Sequence, residues 1–151
     1  MKLTTNITGF DALSLRFKYL ISAAQTGLKL GVSEAAGLFE TEAKAIVPVK
    51  TGALRDAIHT ETVTDEGERQ VLAVTPAYPA ENPYGFEPAY ARRIEYGFVG
   101  TDSLGRVYHQ APQPYMRPAF DGQKADATAA IKSGVIDQVI AASATVSARY
   151  R

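Results

Sequence analysis

The stretch Val47-Pro48-Val49-Lys50-Thr51-Gly52-Ala53-Leu54-Arg55-Asp56-Ala57-Ile58 ends one long helical pattern and begins something new. Pro48 has no backbone N–H and pushes Val47 out of the helical region, so the preceding helix should stop by about Ile46. Thr51 can cap a second, short helical turn, its hydroxyl accepting from backbone N–H groups two or three residues on, while Gly52 keeps the bend compact. Leu54 and Ile58, four apart, share one face of that turn.

Upstream, residues 1–9 read as an N-terminal arm. Thr8-Gly9-Phe10-Asp11 resembles a capping box with Asp in the last place, which starts a helix near Phe10. Leu13, Phe17, Leu20, Ala24, Leu28, Gly31, Ala35, Leu38, Glu42 and Ile46 follow at intervals of three or four. One face of a helix about 35 residues and ~50 Å long is therefore apolar, longer than the core of a small domain can cover. Gly27, Gly31 and Gly37 each weaken it by roughly 1 kcal/mol relative to Ala. Gly27 and Gly31 lie on adjacent turns, which leaves two readings: a kink between two shorter helices, or a groove for close approach by a neighbouring element or subunit.

Downstream, Ile58–Thr64 is rich in β-branched residues and roughly alternates, Asp65–Glu68 is a turn signal, and Arg69–Thr75 returns as a second strand covered on both sides. Residues 76–88 hold Pro76, Pro79, Pro83 and Pro88, which denies them a central sheet position and predicts a long loop. Within it Tyr78, Tyr84 and Phe86 offer large contact area at modest entropic cost, suited to a partner surface or to folding back on the core. Ala89–Tyr96 reads as a short helix stopped by Gly97, with Tyr90, Ala91 and Ile94 inward and Arg92, Arg93 and Glu95 elsewhere. Phe98–Gly105 reads as a turn region and Arg106–Gln110 as a third strand. Arg117-Pro118-Ala119 opens a last helix, with proline in the first turn where its missing N–H does no harm. An irregular apolar face runs to about Ser143, and residues 146–151 read as a frayed tail. The fold class expected is α+β: one domain over residues 1–151, with a long N-terminal helix, a small mainly antiparallel sheet with a short helix inserted, and a C-terminal helix packed on the sheet.

Composition narrows the function. Sixteen basic and sixteen acidic residues leave a formal net charge of zero, so no global field draws the chain to nucleic acid or to a membrane. There is no cysteine, which removes disulfides and thiolate metal sites. Met1-Lys2 leads into polar Thr4-Thr5-Asn6, not into the apolar run of a signal peptide, and no apolar run approaches the ~20 residues of a membrane span.

The chemistry-bearing residues make a weak case for an enzyme. The only histidines, His59 and His109, both fall in expected strands. His59 and Glu61 alternate onto one face, and His109 could join them to make a His2Glu zinc set serving a small binding or hydrolytic domain. Nothing in their spacing demands it. Lys50-Thr51-Gly52 reverses the order of a phosphate-binding loop, in which glycine precedes lysine. Glu95, set among basic and aromatic residues, is the better placed carboxylate for a specific ion pair, with Arg55, Arg92 or Arg117. Arg92-Arg93 and Arg149-Tyr150-Arg151 are small basic clusters without a groove-entering element, enough for non-specific contact with DNA but not for sequence readout.

Three blocks carry a resemblance. Pro48-x-Lys50-Thr51-Gly52-x-Leu54-Arg55-x-x-Ile58, then Tyr90-Ala91-Arg92-Arg93-Ile94-Glu95-Tyr96-Gly97, then Pro114-Tyr115-Met116-Arg117-Pro118-Ala119-Phe120 resemble, in order, the HK97 gp10-like family of bacteriophage tail-completion and neck proteins. The resemblance implies a structural virion protein, not an enzyme, with no cofactor and no metal. It implies a homo-oligomeric ring, hexameric by the same likeness, at the head–tail junction among other neck and tail proteins. A tail terminator capping the tail tube is the nearest alternative role. By that resemblance Thr51, Gly52, Leu54, Arg55, Glu95, Gly97, Arg117 and Pro118 hold the bends between helices and sheet. Thr51, Arg55, Tyr84, Phe86, Arg92, Arg93, Glu95 and Arg117 are then the candidate contacts with a neighbouring subunit or partner. The chain departs from the pattern in its long proline-rich segment before Ala89 and in Phe98-Val99-Gly100, where a small polar residue is common.

Overall fold

The computed structural model describes residues 9–66, 69–76 and 88–149. The N-terminal arm through Thr8, and with it half of the expected capping box, lies outside the described residues, as does the aromatic loop from 77 to 87. Helix α1 (Phe10–Ile46) starts behind Gly9, whose φ of 101° makes the entry turn, and ends where Pro48 requires. Val47 is extended at φ −58° and ψ 133°, and its N–H closes the last turn on the Ala43 carbonyl. Gly52, at φ 85°, turns the chain into α2 (Ala53–Ala57). The Thr51 hydroxyl accepts from the Ala53 N–H at 3.4 Å, but the N-cap position expected at Thr51 falls to Gly52, which turns the chain by its backbone and not by a side-chain cap.

Strands β1 (His59–Glu66) and β2 (Arg69–Thr75) form an antiparallel hairpin with a bulge between Thr62 and Thr64. It lies along α1. The Thr60 hydroxyl donates to Glu40 at 2.8 Å, and Lys29 pairs with Asp65 further up the helix. Val71 to Pro76 are half-buried without interruption, as a strand covered on both sides should be. After α3 (Pro88–Tyr96), strands β3 (Phe98–Thr101) and β4 (Val107–Gln110) make a second, separate antiparallel hairpin. The single sheet expected from the sequence is thus two sheets. The region read as a turn after Gly97 holds β3, whose four residues, Gly100 among them, are too few to show a period.

Helix α4 (Met116–Arg149) runs well past Ser143. The class is α+β as expected, but α4 packs on α1 and not on a sheet. The two helices are antiparallel. Phe120 stacks on Phe39 with ring centroids 5.1 Å apart, Gln123 reaches Glu42, and Val146 lies beside Phe17. Glycine settles the choice left open at Gly27 and Gly31: α1 is continuous and the gap is a groove for α4. A Cβ at Gly31 would sit 2.6 Å from the Ile131 Cα, and one at Gly134 would sit 2.7 Å from the Gly27 carbonyl oxygen. Backbone therefore touches backbone at the crossing. The apolar core lies at the other end, where Ala43, Val47, Leu54, Ile58, Ala91, Ile94, Tyr115 and Ala119 converge.

Candidate functional site

That core is where the three blocks meet. Leu54 and Ile58 come from α2 and its end, Ala91 and Ile94 from α3, Tyr115 and Ala119 from the start of α4. Tyr115 and Ile58 are the largest fully enclosed side chains, at 1% and 0% exposure. Each block thus supplies two apolar anchors to one cluster, the common physical reason for their spacing.

The polar link among them is Glu95, on the face of α3 that the sequence pattern assigned outward. It is only 8% exposed. Its Oε2 accepts from the backbone N–H of Tyr115 at 2.7 Å and of Met116 at 3.0 Å, and its Oε1 accepts from that of Arg117 at 3.2 Å. A helix start leaves such donors without intrahelical partners, and its partial positive charge favours an anion. The next residue, Pro118, has no N–H to satisfy. The Ala119 N–H closes the first turn on the Tyr115 carbonyl at 3.2 Å. One carboxylate and one proline thereby complete the start of a 34-residue helix. The ion pair of Glu95 with an arginine expected from the sequence is replaced by this cap. Charge alternation along α3 could not reveal it, because the partners lie twenty residues away and belong to the backbone.

Around this knot the other sequence-derived candidates stay at the surface. Thr51, Arg55, Arg92, Arg93 and Arg117 are exposed, whereas Tyr84 and Phe86 lie outside the described residues. Arg55 reaches Asp56 at 3.1 Å, and the Arg93 guanidinium lies 4.4 Å from the centre of the Phe98 ring. Arg92 and Arg117 line two neighbouring clefts that share Glu95 and Tyr96. The larger, of about 520 Å³, is walled by Pro112, Pro114 and Pro118. A third, of about 270 Å³, is lined by residues of the Pro48–Leu54 bend and by Tyr90, which is exposed where the sequence placed it inward. The bend and α3 therefore both expose basic and aromatic side chains, among them Tyr96 at 65% exposure.

The second hairpin is fixed at its tip. Asp102 Oδ1 accepts from the backbone N–H groups of Leu104 and Arg106 at 2.9 and 2.8 Å. Its Oδ2 accepts from Arg106 Nε at 2.7 Å and from the Tyr108 hydroxyl at 3.1 Å. The Arg106 N–H, with the side-chain donors behind it, holds the Asp102 carboxyl below its ordinary range. On α1, Lys44 and then Thr60 do the same for Glu40. Both are structural ties.

The His2Glu set is not assembled. His59 and Glu61 lie on β1 and His109 on β4, in different sheets, and His59 Nδ1 meets the Ala57 carbonyl at 2.9 Å. Among the described residues no three His, Cys, Asp or Glu side chains cluster as metal ligands, and no helix is long and apolar enough to cross a membrane.

Residues 24–97 match a family model described as "Bacteriophage HK97-gp10, putative tail-component". The match runs from Ala24, within α1, to the glycine that ends α3, and so contains the first two blocks but not the third. No curated protein and no solved structure matches the chain.

Proposed function

The chain belongs, through residues 24–97, to the HK97-gp10-like family and is a structural component of a bacteriophage tail; from that premise we propose that it completes the tail as a homo-oligomeric ring at the head–tail junction. The observation that carries this reading is the apolar surface of α1. Phe10, Leu13, Leu15, Phe17, Tyr19 and Ile21 are each about half exposed or more, on a helix that extends beyond the core. A monomer gains nothing by presenting so much apolar surface to water, and patches of this kind mark sites of association. Six copies are expected from the resemblance. The exposed side chains of Arg92, Tyr96 and Arg117 suit contact with other neck and tail proteins or, without sequence preference, with DNA in the channel.

Infection with a phage lacking the gene tests the role. Filled heads and finished tails that fail to join, restored to whole particles by added protein and with label at the junction, are expected. Tails of uncontrolled length would point to the terminator role instead. Normal joined particles, or label elsewhere, would refute the reading.

A further inference from the structure

The apolar exposure on α1 is organised in two stripes. Phe10, Phe17, Ile21 and Leu28 recur at intervals of seven, four and seven, and at about 100° per residue they fall on one line along the helix. Leu15, Tyr19 and Leu30 fall on a second line about 170° around from the first. Exposure runs from 36% at Leu28 to 67% at Phe10 on the first stripe and from 48% to 53% on the second. The side between them is taken by α4, against Gly27 and Gly31, and the first hairpin ties to α1 at Lys29 and Glu40. Although Val146 lies beside Phe17, both stripes stay largely exposed among the described residues.

We infer that this arm is the subunit interface of the ring, with the Phe10–Leu28 stripe of one copy packed on the Leu15–Leu30 stripe of the next. The inference rests on the ring reading above and names the surface that builds it. Geometry selects the occupant. A lipid surface or one partner protein meets a rod from one side, whereas two opposite stripes call for two neighbours. A two-fold dimer needs a single self-complementary patch; two unlike patches facing opposite ways generate a head-to-tail contact, which closes into a ring when the rotation allows. The area fits as well. Stripe against stripe removes on the order of 700 Å² of apolar surface from water, taking aromatic side chains at roughly 150–250 Å² each when fully buried. At the ~57% apolar share of ordinary interfaces this corresponds to about 1,200 Å² in total, the lower end of what a stable contact needs.

Two double variants of the full chain test it by sedimentation: Phe17→Glu with Ile21→Glu, and Tyr19→Glu with Leu30→Glu. All four positions are about half exposed, so each variant should keep the helical circular dichroism of a folded chain; serine pairs replace the glutamates if either does not. Wild-type protein is expected as one closed oligomer and each variant as a monomer. An equimolar mixture is expected to give a dimer and nothing larger, since each copy retains one sound stripe. Either variant retaining the wild-type oligomer, either forming a dimer alone, or a mixture that stays monomeric would overturn the inference while leaving the ring reading standing. A wild-type chain that is monomeric at every concentration would overturn both.

Discussion

Glu95 carries more of the architecture than any other polar side chain described. Glu95→Ala leaves the N–H groups of Tyr115, Met116 and Arg117 without their acceptor and removes an anion from the positive end of α4. Its expected cost is about 2–4 kcal/mol in chemical denaturation. Glu95→Gln keeps an accepting oxygen but turns an amide NH2 toward one donor, and should lose about 1–2 kcal/mol. Equal stability of both variants and the wild type would refute the cap. The glycines of α1 give an opposed pair. At Gly31 an added methyl meets the Ile131 Cα, so Gly31→Ala should destabilise by about 1–3 kcal/mol even after the helix-propensity gain. At Gly37 nothing lies within 4 Å, so Gly37→Ala should stabilise by about 0.5–1 kcal/mol. The two look alike in sequence. What distinguishes them is α4, about a hundred residues further along the chain, and no local pattern encodes that.

At the scale of elements, what was legible is what local chemistry decides. Pro48 ends α1 where it must, Gly52 and Gly97 make their turns at positive φ, and the β-branched, roughly alternating run Ile58–Thr64 with its return over Arg69–Thr75 gives the first hairpin. At Gly97 the requirement is also steric, since a Cβ would lie 2.8 Å from the Gln110 carbonyl oxygen. What was hidden depends on partners. The β3 segment is a strand because β4 pairs with it, from Phe98 opposite Gln110 to Thr101 opposite Val107. Alanine-rich α4 shows too irregular a face in sequence to reveal that α1 receives it. The ties between elements predict a pH response. Glu40 and Asp102 both have carboxyls lowered from their ordinary values, so what they contribute is complete above those values and is lost as acid brings the pH down through the lower folded ones. Stability should therefore fall as pH drops below about 4.5, the ordinary value for Glu40, and Glu40→Gln should flatten part of that fall in denaturation curves taken across pH. An unchanged acid profile in the variant would count against the Glu40 tie. Asp102→Ala should speed amide exchange at Leu104 and Arg106 while leaving α1 and α4 protected; unaltered exchange there would mean the hairpin tip holds itself.

As a whole the molecule divides into a knotted end, where the three blocks share one core, and an arm of two helices that cross in backbone contact at Gly27, Gly31 and Gly134. The first explains why motifs some twenty to forty residues apart are read together: each delivers apolar anchors, and Glu95 ties the second to the third. The second explains how a chain with no net charge can serve a particle. The arm was half legible. Its apolar period was visible, but that one face would go to α4 and two others to open solvent required the fold. Because the chain has no cysteine, introduced ones report cleanly. The most direct measurement is cross-linking of the double variant Ile21→Cys and Leu30→Cys with a short bis-maleimide. The two thiols stand on opposite sides of one helix, too far apart to be bridged within a chain. The account predicts a ladder of covalent oligomers ending at the size of the ring, and no ladder from either single variant. A double variant that stays a single band, or a single variant that gives strong dimers, would contradict it.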